Sequence, residues 1–274
     1  MSDRVQVTIK DGVADVRLTR ADKMNALDDA MFDALVATGE RLKSDPDVRC
    51  VVISGEGRAF CAGLDMGSMG RMREGPRTPA PGGGALDGRT HGIANRPQYA
   101  VWVWREVPVP VIAAVHGVAF GGGFQLMLGA DMRFIAPDAR LAVLEIKWGL
   151  VPDMCGTLLM RHLAREDVVR ELTYTGRVFS GEEALKLGFA TRVSDDPYAE
   201  ALAVAREIAG KSPDAIRAAK RLMNSVAEVT DEAAGLLLET REQIALIGSP
   251  NQMEAVKAGL EKRAPTFKDA VGQA

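Results

Sequence analysis

Three consecutive glycines at residues 121–123 stand between an uncharged, β-branched segment and an apolar segment of helical character. Glycine lets the backbone adopt a positive φ and lets other groups approach closely. At the start of a helix such a turn exposes backbone N–H groups, which can hold an anion or an oxygen that becomes negative during a reaction. The turn has neither the Lys-Ser/Thr end of a P-loop nor the G-x-G-x-x-G of a dinucleotide fold. The glycines alone leave two alternatives open, a tight packing turn and an oxygen-binding turn.

A second turn of small residues follows a predicted buried strand at residues 48–53. It places Ala62 and Gly63 in a bend, and Asp65 where its carboxylate can cap the next element. One N–H from each of the two turns would form a two-donor oxyanion hole, the arrangement that stabilises the enolate of a thioester. Loss of one such donor typically costs about 10²–10³ in rate. The two turns together therefore predict a site for an oxygen that gains charge.

Five segments of the chain resemble, in the same order, segments of the crotonase superfamily, which comprises the enoyl-CoA hydratases and isomerases. They are residues 23–27, 60–65, 117–124, 144–152 and 260–263. Each match alone is weak, whereas five in the family's order over nearly the whole chain are specific. The resemblance implies an α/β fold, a crotonase-like spiral core of repeated ββα turns, followed by a C-terminal helical trimerisation region.

The resemblance also implies what the site residues do. The N–H groups of Ala62 and Gly122 would hold the thioester oxygen, because a proton on the acyl chain becomes acidic only when the enolate charge is neutralised. The substrate is then an unsaturated acyl-CoA, and no metal or redox cofactor is expected, since coenzyme A enters only as part of the substrate. Further residues expected along the substrate or its CoA moiety are Lys23, Met24, Ala26, Arg58, Gly63, Asp65, Gly121, Gln125, Trp148 and Lys262. The cations among them are candidates for the CoA phosphates.

The carboxylates distinguish two reactions. Hydratases of the family add water with two glutamates, and Gln125 stands at the position of the first. An amide exchanges no proton at neutral pH, so Gln125 cannot replace that glutamate in the reaction. Glu145 matches the second glutamate. Asp153 resembles an aspartate that dienoyl-CoA isomerases and some other branches carry. Double-bond isomerisation, with Glu145 or Asp153 as acid and base, is the first expectation. Enoyl-CoA hydration and non-catalytic binding of a CoA thioester remain the alternatives. An apolar pocket with Trp148 and Phe124 nearby would raise the pKa of the base.

Composition and motifs disfavour other classes of protein. The 274 residues are 47% hydrophobic and 26% charged with a net charge of −3, which is typical of a globular protein and gives no reason to expect a nucleic-acid partner. The sequence has no H-E-x-x-H and no G-x-S-x-G, which disfavours a zinc protease and a serine hydrolase. Residues 107–130 are uncharged but contain two prolines and five glycines, so no membrane helix is expected. Three cysteines without C-x-x-C spacing and a start without an apolar run predict a cytoplasmic protein.

Hydrophobic periodicity predicts the elements that position these residues. Residues 5–18 alternate around Asp11-Gly12, which predicts a hairpin. Residues 27–42 repeat with helical spacing. Apolar runs at residues 48–53 and 111–115 predict strands of a parallel sheet joined by crossover helices.

The remaining segments suggest a loop and a helical C-terminal part. Residues 66–97, rich in Gly, Pro, Arg and Met, are expected to form a mobile loop or a lid over the site. Ser180 and Ser212 have the spacing of helix N-caps. Two later helices carry apolar faces that either the core or a neighbouring subunit must cover, namely Ile216, Ala219 and Met223, and Met253, Val256 and Leu260. We therefore expect a core with the acyl-CoA site at residues 1–200 and an oligomerisation region at residues 201–274, assembled as a homotrimer or a dimer of trimers.

Overall fold

A computed structural model describes residues 3–72 and 86–270 of the chain. The strands in these ranges are β1 (Val5–Lys10), β2 (Val13–Leu18), β3 (Cys50–Gly55), β4 (Val111–Val115), β5 (Val118–Phe120), β6 (Met132–Ile135), β7 (Arg140–Ala142), β8 (Phe179–Ser180) and β9 (Arg192–Val193). The α-helices are α1 (Asp29–Ser44), α2 (Met66–Met72), α3 (Arg96–Glu106), α4 (Gly122–Leu128), α5 (Gly156–Met160), α6 (Glu166–Thr175), α7 (Gly181–Leu187), α8 (Pro197–Ala209), α9 (Pro213–Val226), α10 (Glu232–Leu246) and α11 (Pro250–Glu261). Two short 3₁₀ helices span Ala21–Lys23 and Glu145–Trp148.

The predicted N-terminal hairpin is confirmed. Strands β1 and β2 pair antiparallel with Lys10 opposite Val13. The two residues between them, Asp11 and Gly12, have φ values of 50° and 77°. A two-residue hairpin loop requires positive φ at both positions, so the residues of the turn set the register of the pair.

Parallel strands place the ends of β3 and β4 at one edge of the larger sheet. The six-stranded sheet has the order β1-β2-β3-β4-β6-β9, and the smaller sheet has the order β5-β7-β8. Strands β2, β3, β4, β6 and β9 run parallel to one another, as predicted for β3 and β4 from their continuous apolar character. Since β3 leads into the turn that contains Gly63 and β4 leads through β5 into the three glycines, both turns lie at this edge.

Alternate residues of β3 belong to two apolar clusters, one on each face of the sheet. Val51 and Ile53 contribute to the larger cluster, which also receives the buried faces of α1 and α3. Val52 contributes to the second cluster, which is completed by alanines of α8. A domain boundary at residue 200 would divide α8, which begins at Pro197. Helix α8 therefore packs on the core sheet and crosses the predicted boundary, which stays a prediction.

The segment at residues 66–97 is only partly the loop that the sequence predicts. It opens with the helix α2 and ends inside α3, whose first turn contains Pro97. The N-terminus of α3 is held by a reciprocal capping box between Asn95 and Gln98. The expectation of a mobile lid concerns mainly residues 73–85, which lie outside the described residues.

Helices α7 and α9 begin at the predicted caps, and the helices α9 and α11 leave apolar side chains exposed. Ser180 and Ser212 accept hydrogen bonds from the N–H groups of Glu183 and Ala215. In the single chain Met223 is 65% exposed, and the face of α11 that contains Leu260 is likewise uncovered. Among the described residues, no helix combines the length and the apolar character needed to cross a membrane.

Candidate active site

The two glycine-bearing turns lie side by side because backbone hydrogen bonds join them. Cys61 donates its N–H to the carbonyl oxygen of Val118 at 3.0 Å, and Phe120 donates to that of Cys61 at 3.1 Å. Gly63 has a φ of 86°, and a Cβ built on it would lie 2.5 Å from the carbonyl oxygen of Phe120. Only glycine fits this contact. The chain that follows Gly63 is thereby held against the start of α4.

The N–H of Leu64 points toward this junction. Leu27 donates its N–H to the carbonyl oxygen of Gly63 at 2.8 Å and accepts a hydrogen bond from the N–H of Asp65 at 3.0 Å. Successive N–H groups of an extended segment point to opposite sides, so the N–H of Leu64 points away from Leu27 and toward β5 and α4. No group in residues 3–72 or 86–270 accepts a hydrogen bond from it.

The prediction that Ala62 supplies the first oxyanion donor is wrong. Its N–H donates to the carbonyl oxygen of Met24 at 2.9 Å and is therefore unavailable to a substrate. The loop that contains Met24 is held in place, because the fully buried side chain of the next residue, Asn25, donates to the carbonyl oxygen of Ala59 at 2.8 Å. Leu64, two residues farther along the chain, replaces Ala62 as the candidate donor.

Gly122 is the second candidate donor, and its role in an oxyanion hole stays a prediction. It is the first residue of α4, where backbone N–H groups have no partner within the helix. Its nitrogen lies 3.5 Å from the position of a Cβ on Gly63. A Cβ on Gly122 itself would approach Leu27 Cδ1 to 2.8 Å and Met154 Sδ to 2.9 Å. An oxygen held here would thus meet backbone donors within apolar surroundings, where electrostatic stabilisation is strong.

The carboxylate of Glu145 lies against the glycine turn. A Cβ built on Gly121 would lie 3.3 Å from Oε1 of Glu145, so the absence of a side chain makes room for the carboxylate. Oε1 accepts a hydrogen bond from Nε2 of Gln125 at 2.6 Å. Oε2 is buried and has no hydrogen-bond partner among the described residues. Burial raises the pKa of Glu145, the hydrogen bond from Gln125 opposes this rise, and the nearby charge of Asp153 adds to it.

The pKa of Glu145 is raised, as the sequence predicts for the base, and the two aromatic residues predicted nearby differ in burial. Phe124 is fully buried in the core and makes edge contacts with Phe179 and Phe189. Trp148 is 44% exposed, so its ring is open to solvent or to a ligand. The Glu145 carboxylate itself lies against Gly121 and Gln125.

Asp153 lies near Glu145 but keeps contact with solvent. Its charge contributes to the raised pKa of Glu145, and the surrounding protein raises the pKa of Asp153 itself by burial. Taken over the whole residue, Asp153 nevertheless remains exposed at the surface. The two carboxylates are therefore electrostatically coupled, with Glu145 the more enclosed of the pair.

Two of the predicted phosphate ligands lie in neighbouring turns. Lys23 ends the 3₁₀ helix Ala21–Lys23, and Arg58 follows Gly57; both side chains are exposed. A Cβ on Gly57 would lie 2.9 Å from Cβ of Ala21, so the two turns touch. Lys262 caps the end of α11, and no hydrogen bond or ion pair in the described part of the chain connects its side chain to this region.

Two further predicted contacts with substrate have structural partners instead. Oδ1 of Asp65 accepts from the N–H of Gly67 and Oδ2 from Nη1 of Arg20, each at 2.8 Å. Arg20 also donates to the carbonyl oxygen of Ala26 at 3.1 Å. The predicted capping role of Asp65 is confirmed, whereas its carboxylate is not free for a substrate. Asp65 and Ala26 position the turn that contains Leu64.

Gln125 is also occupied by protein groups. The residue is 1% exposed, and its Oε1 accepts hydrogen bonds from the N–H groups of Met154 at 2.9 Å and Gly156 at 3.0 Å. The expectation that Gln125 contacts substrate is therefore replaced by contact with Glu145. No motif indicates the contribution of Met154 and Gly156, because these contacts join positions that are distant in the sequence.

Known proteins resemble this chain over most of its length. The sequence matches the family described as Enoyl-CoA hydratase/isomerase over residues 8–270. It is 31% identical over 268 residues to the Delta(3,5)-Delta(2,4)-dienoyl-CoA isomerase of Mus musculus, covering 95% of this chain and 80% of that protein. It is also 31% identical over 264 residues to the methylglutaconyl-CoA hydratase of Mus musculus, covering 94% and 80%. The structure of an enoyl-CoA hydratase from Bacillus anthracis superimposes with a TM-score of 0.85 at 28% identity, covering 97% of this chain and 99% of that chain. This similarity confirms the crotonase-like fold.

Proposed function

The chain belongs to the enoyl-CoA hydratase/isomerase family, and from this premise we propose that it moves a carbon–carbon double bond in an unsaturated acyl-CoA. One observation carries the proposal. Beside the glycine turn, Glu145 is hydrogen-bonded to an amide, Gln125, and not to a second carboxylate. One carboxylate is sufficient to remove a proton and return it elsewhere, whereas water addition by two glutamates requires the group that is replaced here.

The reaction follows from the positions of the donors and the carboxylate. The N–H groups of Leu64 and Gly122 hold the thioester oxygen. The Glu145 carboxylate takes a proton from the acyl chain, and the electron pair of the broken C–H bond passes through the conjugated system to that oxygen. The same proton then returns from Glu145 to a different carbon, the charge leaves the oxygen, and the double bond has moved. No electrons are exchanged with a third group and the two N–H donors neutralise the enolate oxygen, so the proposal includes no metal or redox cofactor.

Asp153 is proposed as a second proton carrier. Two carboxylates of different enclosure can relay a proton over a longer conjugated system than one carboxylate can reach. The similarity to a dienoyl-CoA isomerase supports a dienoyl-CoA substrate. The similarity to a methylglutaconyl-CoA hydratase supports the competing function, hydration of an enoyl-CoA.

The direct test compares two kinds of substrate with the wild-type protein. We expect migration of the double bond in a 3-enoyl-CoA or a 3,5-dienoyl-CoA, followed by ultraviolet absorbance and mass spectrometry, with little hydration of a short trans-2-enoyl-CoA. Robust hydration without migration would establish the hydratase function instead. Tight binding of each ester by calorimetry without turnover would show a CoA-thioester-binding protein.

Asp153→Asn tests the proton relay. We expect the rate of dienoyl-CoA isomerisation to fall by about 10²–10⁴, the usual contribution of a general acid or base. Asp195→Asn, at an exposed aspartate, is the matched control and should retain the wild-type rate. If Asp153 acts only through its charge, the pH–rate profile of Asp153→Asn will move to lower pH while the maximum rate stays unchanged. That result would remove Asp153 from the relay.

The proposed assembly is a homotrimer or a dimer of trimers. Exposed apolar side chains on α10 and α11 support it, since Ile244 is 68% and Leu260 is 80% exposed in the single chain. We expect light scattering to give a mass three or six times the 29.3 kDa of the chain. Leu260→Asp should shift the distribution toward smaller species. A monomeric wild-type protein at micromolar concentration would contradict the proposal.

A further inference from the structure

The oxygen of the Gln125 side chain sits in a cradle of two backbone donors. The N–H groups of Met154 and Gly156 both donate to Oε1 of Gln125. They converge because Cys155, between them, has a φ of 66°, in the left-handed region that non-glycine residues rarely adopt. A left-handed residue flanked in this way orients neighbouring N–H groups into an anion- or oxygen-binding concavity. The cradle therefore selects an oxygen.

The cradle also fixes which end of the amide faces Glu145. With Oε1 in the cradle, Nε2 must lie on the opposite side, where it donates to Oε1 of Glu145 at 2.6 Å. The reversed amide would place N–H₂ against two N–H groups and an oxygen against a carboxylate, so the hydrogen-bond network allows one orientation only. A glutamate at position 125 could occupy the cradle but, when ionised, could not donate to Glu145.

We propose that Gln125 is a positioning residue that holds one oxygen of Glu145 and leaves Oε2 as the Glu145 atom that exchanges the proton. This inference rests on the proposed role of Glu145 as the base. Oε1 is occupied by the amide, whereas Oε2 is buried and has no partner in the described part of the chain. Exchange of the proton through one fixed atom determines the face of the acyl chain at which Glu145 acts, whether or not Asp153 relays the proton further.

Gly156, one of the two donors of the cradle, provides an independent way to displace the side chain of Gln125. A Cβ built on Gly156 would lie 2.6 Å from Oε1 of Gln125 and 2.8 Å from its Cγ. Both atoms belong to a side chain that is fully enclosed, so Gly156→Ala must displace the amide. This variant alters the Gln125–Glu145 hydrogen bond while leaving both residues chemically unchanged.

The experiment measures the titration of Glu145 directly. Infrared difference spectra, in which the Glu145 band is identified by its loss in Glu145→Gln, are recorded against pH for the wild type, Gln125→Met, Gln125→Glu and Gly156→Ala. A hydrogen bond donated to the ionised form lowers a carboxyl pKa, so its removal raises the titration midpoint. We expect a higher midpoint in all three variants, with kcat lower by roughly ten- to a hundredfold, the range for loss of a hydrogen bond to a charged group. Gln6→Met, at an exposed position on β1, is the control that should move neither value.

Specific results would overturn the inference. An unchanged Glu145 midpoint in Gln125→Met and Gln125→Glu would show that the amide does not hold the carboxylate. A fall in kcat at every pH without a shift of the midpoint would show a purely structural role. Gln125→Glu keeps an oxygen for the cradle, so the test remains decisive if Gln125→Met does not fold. Since the titration needs no substrate, its outcome is independent of whether the wild type isomerises or hydrates.

Discussion

Glu145→Gln is expected to lower kcat for double-bond migration by about 10²–10⁴, because the variant loses the group that carries the proton. The amide oxygen introduced by this substitution would still accept the hydrogen bond from Nε2 of Gln125, so the shape of the site is retained. In the wild type, kcat/KM should rise with pH through the pKa of Glu145, since only the ionised carboxylate acts as a base. Burial raises this pKa, which places the rise above the usual range of a glutamate. The variant should lack this pH-dependent step.

The control for this substitution separates lost chemistry from lost structure. A carboxyl whose pKa is higher in the folded than in the unfolded state reduces stability as pH rises through that interval, because the folded protein must release a proton that it binds more tightly. At neutral pH the buried charge therefore costs stability, and Glu145→Gln should melt at a temperature no lower than the wild type. Glu228→Gln, at an exposed glutamate, should change neither rate nor melting temperature. A fully active Glu145→Gln would transfer the role of base to Asp153.

Local patterns were sufficient to predict the elements that support the site. Alternation around Asp11-Gly12 predicted the hairpin, and continuous apolar runs predicted β3 and β4 as neighbouring parallel strands. Periodicity does not predict the bounds of α3, a helix between β3 and β4, because its run of Val and Trp has low helix propensity and its packing against α1 outweighs this preference. Its capping box at Asn95 was the available signal.

The site residues also divide into those that the sequence predicts and those that depend on contacts between distant segments. The roles proposed for Glu145 and Gly122 follow from the order of family segments, since each residue belongs to a motif along the chain. The error at Ala62 has a physical cause: the direction of an N–H depends on the strand that it faces, and the pairing with Met24 joins segments distant in sequence. The proposed role of Gln125 depends on the left-handed conformation of Cys155, and the residue type at that position does not predict this conformation.

Replacing the peptide N–H of Leu64 by an ester oxygen is expected to lower kcat by about 10²–10³, the usual cost of one oxyanion donor. The leucine α-hydroxy acid, incorporated during translation, removes the donor and leaves the side chain intact. The ester also makes the carbonyl oxygen of Gly63 a weaker hydrogen-bond acceptor, and this oxygen accepts a hydrogen bond from the N–H of Leu27. The same change at Ala62 provides a matched comparison. It likewise makes the preceding carbonyl oxygen, that of Cys61, a weaker hydrogen-bond acceptor, and it removes the hydrogen bond from Ala62 to Met24.

The two esters should therefore separate stability from catalysis. The ester at residue 62 loses a hydrogen bond made in the folded protein and should lower the melting temperature, with a smaller effect on kcat. The ester at residue 64 loses a donor that has no acceptor among the described residues, so its main effect should appear only when a substrate oxygen gains charge. Equal substrate affinity with a lower kcat would be the signature of such a donor. The reverse pattern, with catalysis lost at residue 62 and retained at residue 64, would return the oxyanion hole to Ala62 and would require the Met24 hydrogen bond to open during the reaction.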